Sequence, residues 1–248
     1  MKKTFYHYTS IETLALILKS RQIKFSRLDK VNDMSEAETK DFGNMGHFYF
    51  VSCWTNQKKE SIPFWNMYTK NMKGVRIELP YPMLEEYSNS ILKTPAYHDK
   101  NGKNYLLGYE GFNKIKYLKK KKNPTENLHL PDEELENTFT FNPLIGQVKN
   151  DVWKFESEWR YKINIFYLEK EFHEKSDRII SRPRVDYKNY ENNPQELFFD
   201  INSNSLKKMK IRLGPRVTLA EELIVQALIK TFNSSAEIEN SELEKIIR

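Results

Sequence analysis

Two glutamates separated by one residue, Glu156 and Glu158, are the side chains whose spacing most directly suggests chemistry. They lie in the aromatic-rich segment 152–166, which we predict to be a mid-chain β-strand. Alternation along a strand would place both carboxylates on one face together with Arg160. Ionised carboxylates this close repel each other, so the pair costs stability unless cations balance the charge or a ligand uses it. The segment therefore predicts either a solvated strand face with balanced charges or an acidic reaction site.

A histidine, His7, lies at the predicted junction between the first strand, residues 4–8, and the first helix, residues 10–20. Thr9 and Glu12 have the spacing of a capping box, which would begin the helix directly after this strand. The first turn of a helix carries unpaired backbone N–H groups that favour anions such as phosphates. His7 is therefore a candidate for contact with a phosphate-bearing ligand, and a purely structural role at the strand end is the alternative.

The composition indicates one folded domain. The chain has 248 residues, of which 39% are hydrophobic and 13% aromatic, and this is enough for an α+β domain with a sizeable core. The net charge of +6 permits a phosphate-bearing partner without requiring one. The single cysteine, Cys53, excludes an intramolecular disulfide and a multi-cysteine metal site, so we expect a cytoplasmic location. No segment has the length and apolarity of a signal peptide or a membrane span, and we expect no membrane association.

Other common chemistries have little support in the sequence. The five histidines are scattered, with no pair at i, i+4 spacing, and we therefore expect no metal site. Neither a GxGxxG nor a GxxxxGK[ST] phosphate loop occurs, and the chain has only 8 glycines. Cys53 lies in an apolar predicted strand, where a buried thiol is a simpler interpretation than a nucleophile paired with a histidine.

Hydrophobic periodicity and turn residues predict that strands and helices are interspersed along the chain. Pro63 opens a short helix that ends before Gly74. A second capping box, formed by Thr218 and Glu221, opens an apolar helix that runs to Phe232. The remaining predicted strands, in chain order, are residues 22–26, 48–54, 75–79, 197–201, 209–213 and 236–238.

Residues 80–148 are predicted to form a helical insertion over the sheet, because aromatic residues recur there among lysines at a spacing that suits an amphipathic helix. Four consecutive lysines in this insertion could hold a nucleic-acid backbone, and a solvated helix end is the alternative explanation. They are Lys119, Lys120, Lys121 and Lys122. We find no internal repeat and no low-complexity linker, so residues 1–248 are predicted to form a single domain with this insertion.

Seven segments from both ends and the middle of the chain form an ordered series. They are YHYTS at 6–10, IKFSRLDKVND at 23–33, VSCWT at 51–55, FWNMYTKNMKGVRIEL at 64–79, WKFESEWR at 153–160, IRLGPRVT at 211–218 and EIENSELEKIIR at 237–248. In this order they resemble the bacterial family known as domain of unknown function 2971. The layout is in turn similar to that of ADP-ribosyltransferases, which bind NAD over a split sheet. The resemblance implies a split mixed or antiparallel sheet with flanking helices.

The resemblance to ADP-ribosyltransferases implies a role for each candidate residue. Glu158 would hold the nicotinamide ribose and stabilise the positive charge that develops on it as nicotinamide leaves. Glu156 would polarise or deprotonate the acceptor. His7 would hydrogen-bond the ribose on the adenosine side, and an aromatic ring would stack on nicotinamide. The candidates for that ring are Tyr8, Trp65 and Tyr68. The full set of implied NAD-binding residues is His7, Tyr8, Thr9, Asn32, Trp65 and Tyr68.

Three hypotheses follow from the sequence. The first is an ADP-ribosyltransferase that uses NAD as substrate, needs no metal, and modifies a nucleic acid or a protein, as a toxin or phage-defence protein would. The second is a glycohydrolase that cleaves NAD or another nucleotide with water as the acceptor. The third is a module without turnover that binds nucleic acid or a protein partner, with the four lysines as its contact. The sequence leaves the existence of an antitoxin partner open.

Overall fold

The fold, seen in a computed structural model, is a large mixed β-sheet with several helices. The structure describes residues 3–39, 43–85, 96–98, 104–119, 144–173, 178–184 and 193–247. The strands within these ranges are β1 (Thr4–Thr9), β2 (Gln22–Arg27), β3 (Glu38–Thr39), β4 (Gly43–Asn44), β5 (Tyr49–Thr55), β6 (Val75–Pro80), β7 (Ala96–His98), β8 (Asn104–Lys114), β9 (Lys116–Leu118), β10 (Val148–Asn150), β11 (Glu158–His173), β12 (Arg178–Arg184), β13 (Glu196–Asp200), β14 (Lys210–Leu213) and β15 (Glu237–Glu239). The α-helices are α1 (Ile11–Ser20), α2 (Ile62–Tyr68), α3 (Ser203–Lys207) and α4 (Leu219–Phe232). The predicted combination of a mixed sheet with several helices is confirmed.

The large sheet divides into two branches at one edge of β5. β1 pairs with β5 at Tyr6 and Thr55, whereas β2 pairs with the same edge of β5 further along, at Ser26 and Val51. The first branch continues from β1 through β6 and β14 to β15, and the second continues from β2 to β13. The other edge of β5 pairs with β11, which also pairs with β8 and β12. The fork between β1 and β2 therefore opens beside the middle of β5.

One face of the sheet buries the main hydrophobic core. Helix α1 contributes Leu14, Ile17 and Leu18, which recur at helical spacing, and α4 contributes Val225 and Ile229. The two helices contact each other over this face. Residues of β11 alternate between the faces, and those that join the core are Trp159, Tyr161, Ile163 and Ile165. Those that lie on the opposite face are Glu158, Arg160 and Lys162.

The start of α1 differs from the predicted capping box. Thr9 still pairs with Val75 in the ladder between β1 and β6, so it belongs to the strand. The N-cap is Ser10, whose side chain accepts a hydrogen bond from the backbone N–H of Thr13 at 3.1 Å. The second predicted capping box, formed by Thr218 and Glu221 at the start of α4, is confirmed in both of its hydrogen bonds.

The predicted strand 152–166 begins later than expected. A 3₁₀ helix, Asp151–Glu156, precedes it, and the strand starts at Glu158. Asn150 caps this turn by accepting from the N–H of Val152, and Ser157 leaves it in a left-handed conformation with φ 44°. The local capping and this reversal of the backbone overrule the β-propensity of the aromatic residues.

The predicted helical insertion 80–148 is wrong over residues 104–118, which form β8 and β9. Backbone pairing of β8 with β11 supplies the hydrogen bonds that a helix would otherwise make internally. Gly108 is needed in this ladder because a Cβ there would lie 1.8 Å from Oδ1 of Asn164. Residues 120–143 lie outside the described residues. Among the described helices, none is long and apolar enough to cross a membrane.

Candidate active site at the fork of the sheet

A narrow cleft of about 60 Å³ lies beside the fork of the sheet. Its walls combine aromatic rings with two carboxylates and one thiol. The lining residues are Tyr6, His7, Tyr8, Cys53, Trp54, Phe64, Tyr68, Glu156 and Glu158. The structure thus brings three predicted catalytic residues and two predicted aromatic residues to one place.

Different elements place the two glutamates in the cleft. Glu158 is the first residue of β11 and lies opposite Thr55, which in turn lies opposite Tyr6 of β1, so these three side chains share one face of the sheet. Glu156 ends the 3₁₀ helix and is not on the strand, contrary to the prediction. Its backbone carbonyl accepts a hydrogen bond from the hydroxyl of Thr55 at 2.8 Å, which ties the turn to β5. Both carboxylates are buried, with 2% and 4% of their surface exposed.

Two buried cations hold Glu158. Its Oε1 accepts a hydrogen bond from Nε of Arg160 at 2.7 Å, and its Oε2 lies 3.2 Å from Nζ of Lys149. Lys149 also contacts Oε2 of Glu156 at 2.8 Å, and Arg160 forms a second ion pair with Glu36. The five side chains form a buried chain in which carboxylates and cations alternate, and this arrangement is required because unpaired buried charge is costly.

The two cleft carboxylates differ in their acidity. Burial would raise the pKa of Glu158, but Arg160 and Lys149 outweigh it and lower the pKa to about 2. Burial raises the pKa of Glu156, Lys149 offsets this only in part, and the charge of Glu158 raises it further. Glu158 is therefore ionised at neutral pH, and Glu156 is the carboxyl group that takes up a proton more readily.

Aromatic side chains from β1 and α2 form the facing wall. Tyr8 stacks on Phe64 with 4.9 Å between ring centroids, and the hydroxyl of Tyr68 donates to Oε1 of Glu156 at 2.5 Å. Trp65, the third predicted stacking residue, does not line the cleft, because its ring is fully buried and its Nε1 donates to Glu60 at 2.9 Å. The sequence could not show which of Tyr8, Trp65 and Tyr68 lines the cleft, since all three lie on elements that border the fork.

His7 reaches the cleft from the other face of the sheet. As the residue after Tyr6 in a strand it points away from Glu158, and its ring lies 5.2 Å from that of Trp54. Its Nδ1 is 2.9 Å from the backbone oxygen of Cys53. Cys53 lies between the part of β5 that pairs with β1 and the part that pairs with β2. Burial lowers the pKa of His7, so the ring is neutral at pH 7. The side chains of His7 and Glu158 therefore border one cleft but lie on opposite faces of the sheet.

Cys53 does not form the nucleophile pair that the sequence left open. His7 binds the backbone oxygen of Cys53 and not its sulfur. Burial raises the pKa of the thiol well above its ordinary value, and the neighbouring charge of Glu158 raises it further. The thiol therefore stays protonated at neutral pH beside the charge of Glu158.

Several predicted binding residues lie elsewhere. Thr9 is buried at the end of β1, and Asn32 is exposed on the loop after β2; neither lines the cleft. Lys119 is exposed, and Lys120, Lys121 and Lys122 lie outside the described residues. No group of three or more potential metal ligands among His, Cys, Asp and Glu occurs in the part of the chain that the structure describes.

Sequence reasoning missed two members of the buried ionic chain, Glu36 and Lys149. Arg160 was expected as a compensating cation because it lies two residues after Glu158 on the same strand face. Glu36 is 124 residues from Arg160, and Lys149 precedes the turn that separates it from β11. The closeness of the two carboxylates in the sequence predicts that cations balance them, but periodicity does not indicate which distant residues these cations are.

A model of the family described as "Protein of unknown function (DUF2971)" matches residues 64–161, and this match supports the resemblance to that family. The matched segment begins in α2 and ends in β11, so it includes Tyr68, Glu156 and Glu158. No curated protein matches the chain. No solved structure matches it either.

Proposed function

We propose that this protein is an NAD-dependent ADP-ribosyltransferase whose reaction centre is the cleft at the fork of the sheet. The observation that carries the proposal is the meeting of an ionised glutamate, Glu158, and a more basic one, Glu156, with the rings of Tyr8 and Tyr68 in one cleft. The ADP-ribosyltransferase-like arrangement of the sheet is part of the same proposal, with the division of strand pairing beside β5 as its support.

The charge of the site suits a cationic transition state. Three buried carboxylates, from Glu36, Glu156 and Glu158, face two cations, Lys149 and Arg160. When all five are ionised the cluster carries one net negative charge in a poorly solvated place. A positive charge that develops on a ribose in the cleft is stabilised there without reorganisation of the surrounding groups.

The chemical step follows from the two carboxylates. The bond between the ribose C1′ and the nicotinamide nitrogen breaks, and its electron pair leaves with nicotinamide, which becomes neutral. The ribose carries the positive charge, and Glu158 stabilises it. A nucleophile of the acceptor then bonds to C1′ and gives its proton to Glu156. Atoms and charge balance with NAD and the acceptor as the only reactants.

Binding of NAD requires the cleft to widen. Its volume of about 60 Å³ is well below the roughly 300–1,000 Å³ of typical ligand sites. The wall that can yield is the one formed by Phe64 and Tyr68, because α2 has only seven residues and packs against the sheet through a small aromatic cluster. Displacement of Tyr68 also releases Glu156 for contact with the acceptor.

The proposal is tested with purified protein, NAD labelled in the adenylate moiety, and RNA, DNA or cell-lysate protein as acceptor. We expect transfer of label, and Glu158→Gln lowers its rate by about a hundredfold or more. Glu244→Gln serves as the matched control, because Glu244 is exposed near the chain end. Absence of both label transfer and NAD loss in the unaltered protein, with each acceptor class, would contradict the proposal. Binding of nucleic acid without turnover would instead favour a binding module.

A second candidate function, hydrolysis of NAD with water as the acceptor, is favoured by the burial of Glu156. Only 2% of this residue is exposed, and water reaches such a carboxylate more easily than a macromolecule does. Release of free nicotinamide and ADP-ribose with no labelled macromolecule would identify this activity. Glu156 would then take its proton from water, so Glu156→Gln slows both activities.

A further inference from the structure

Lys149 connects the two carboxylates of the cleft. It lies on β10, whose parallel pairing with β9 sets Lys149 opposite Tyr117. Its Nζ is 2.8 Å from Glu156, 3.2 Å from Glu158 and 3.5 Å from Glu36. The side chain is almost wholly buried, with 5% of the residue exposed, and its ammonium group also lies 4.6 Å from the ring centroid of Trp153. An ammonium group has three donors, and here three carboxylates surround them.

The ionic chain is asymmetric because Lys149 contacts both glutamates of the cleft, whereas Arg160 contacts Glu158 and not Glu156. Glu158 has two cationic partners, Arg160 and Lys149. Among the described residues, Lys149 is the cation that contacts Glu156, whose other oxygen accepts from Tyr68. One lysine therefore adds to the fixed charge of one carboxylate and supplies the cationic partner of the other.

We propose that Lys149 is a positioning residue that keeps Glu156 ionised, as the proton acceptor of the cleft, beside the fixed anion Glu158. The catalytic consequence rests on the proposed function, whereas the effect on the carboxylates does not. Lys149 is not among the residues that the family resemblance implied, although it contacts two that are, Glu156 and Glu158.

Removal of the ammonium group changes the balance of charge. Without Lys149, the carboxylates of Glu36, Glu156 and Glu158 share only Arg160, and the cluster has a net charge of −2 if all are ionised. Glu156 loses its cation while Glu158 keeps one, so Glu156 is the group that takes up a proton. A protonated Glu156 cannot accept the proton of an acceptor at neutral pH.

The other groups near Glu156 do not replace Lys149. Tyr68 on α2 is a neutral donor, since burial and then the charge of Glu156 raise its pKa. Cys53 on β5 is protonated, and Glu158 on β11 repels a second anion. Tyr117 on β9 uses its hydroxyl oxygen to accept from the backbone N–H of Glu158 at 2.8 Å. None of these groups brings positive charge to Glu156.

The test is a titration of the glutamate side-chain carbons by NMR in protein labelled with ¹³C-glutamate, with signals assigned through Glu156→Gln and Glu158→Gln. In the unaltered protein we expect Glu156 to release its proton at a higher pH than Glu158. In Lys149→Met the midpoint of Glu156 rises by at least one pH unit, and the acidic limb of the rate of NAD cleavage moves upward with it. The control Lys154→Met removes an exposed lysine from the adjacent turn. It should change neither the midpoint of Glu156 nor the acidic limb of the rate.

The outcomes separate this inference from the proposed function. An unaltered protein that cleaves no NAD contradicts the proposed function, yet the titration still tests Lys149. Cleavage of NAD with an unmoved midpoint of Glu156 in Lys149→Met overturns the inference alone. If Lys149→Met does not fold, the variant Glu36→Gln with Lys149→Met restores a net charge of −1, and the same rise is expected in it. If this variant also fails to fold, the titration of the unaltered protein decides, and a Glu156 that is still protonated at pH 7 overturns the inference.

Discussion

Arg160 is the residue on which the buried ionic chain depends most. It has no exposed surface, its Nε binds Glu158, and its guanidinium also binds Glu36 and the backbone oxygen of Gly146. A planar guanidinium with five donors can serve all three partners at once, which an ammonium group cannot do in the same geometry. The charged groups on this buried face of β11 therefore depend on one another, because removal of any one leaves its partners buried with less counter-charge.

We expect Arg160→Met to destabilise the fold strongly. The substitution leaves Glu36 and Glu158 buried with less counter-charge, and breaking a buried ion pair in this way costs about 3–5 kcal/mol. Urea unfolding followed by tryptophan fluorescence measures the change. Lys24→Met is the matched control, because the pair that Lys24 forms with Glu196 is about half exposed and contributes less than about 1 kcal/mol. Equal losses in the two variants would contradict a buried network.

Cys53 should react slowly despite its place in the cleft. Burial and the charge of Glu158 raise the pKa of the thiol, so little thiolate is present at pH 8. We expect alkylation by iodoacetamide to be at least about tenfold slower in the folded protein than in urea. Mass spectrometry of the quenched reaction measures the rate at which Cys53 is alkylated. Rapid labelling of the folded chain would show that burial and the charge of Glu158 do not keep the thiol protonated.

At the scale of elements, short local signals fix where the helices begin. The side chain of Thr218 accepts from the backbone N–H of Glu221, and the carboxylate of Glu221 accepts from the backbone N–H of Thr218. Lys73 reaches Glu221 at 3.4 Å, so the capping box also touches the loop before β6. The start of α4 is therefore specified by residues that are adjacent in sequence.

Loss of the cap should have a modest cost. We expect Thr218→Ala to lower the free energy of unfolding by about 1 kcal/mol, because one N–H group at the helix start loses its acceptor. Thr231→Ala, near the exposed end of the same helix, is the control and should be close to neutral, since alanine has the higher helix propensity. Thermal unfolding by circular dichroism compares the two. A larger loss in the control would mean that the box does not stabilise α4.

The whole molecule should lose stability in acid because of Glu158. Its pKa in the folded chain is lowered to about 2, below the ordinary value of 4.5. The unfolded chain therefore binds the proton first, so the stabilisation is fully present above pH 4.5 and is lost as the pH falls from about 4.5 to 2. Glu156 contributes in the opposite sense, because its raised pKa favours the folded chain at low pH and this contribution disappears as the pH rises above 4.5.

The resulting prediction concerns the pH profile of stability. We expect the urea midpoint of the unaltered protein to fall between pH 5 and pH 2, and Glu158→Gln to have a lower midpoint at pH 7 with a flatter profile over that range. Glu244→Gln should follow the unaltered protein. Parallel profiles for Glu158→Gln and the unaltered protein would contradict the low pKa of Glu158.

The sequence by itself determined the elements whose signals are local. The strands β1, β2, β5, β6, β13, β14 and β15 and the helices α1 and α4 lie within one or two residues of their predicted bounds. Alternation and helical spacing act between neighbours in the chain, so they can be read directly. The same alternation correctly put Glu158 and Arg160 on a polar face of a central strand.

Only the tertiary structure decided what surrounds Glu158. Residues 104–118 form strands and not the predicted helix, and Glu156 lies on a turn. His7 lies on the other face of the sheet. Lys149 and Glu36, which are distant in sequence from β11 or separated from it by a turn, contact the carboxylates of the cleft or each other. The physical reason is that a buried charge requires a partner, but which side chain meets it depends on how distant strands pair. Backbone pairing between β9 and β10 and between β8 and β11 has no counterpart in local periodicity, so the members of the site follow from the fold.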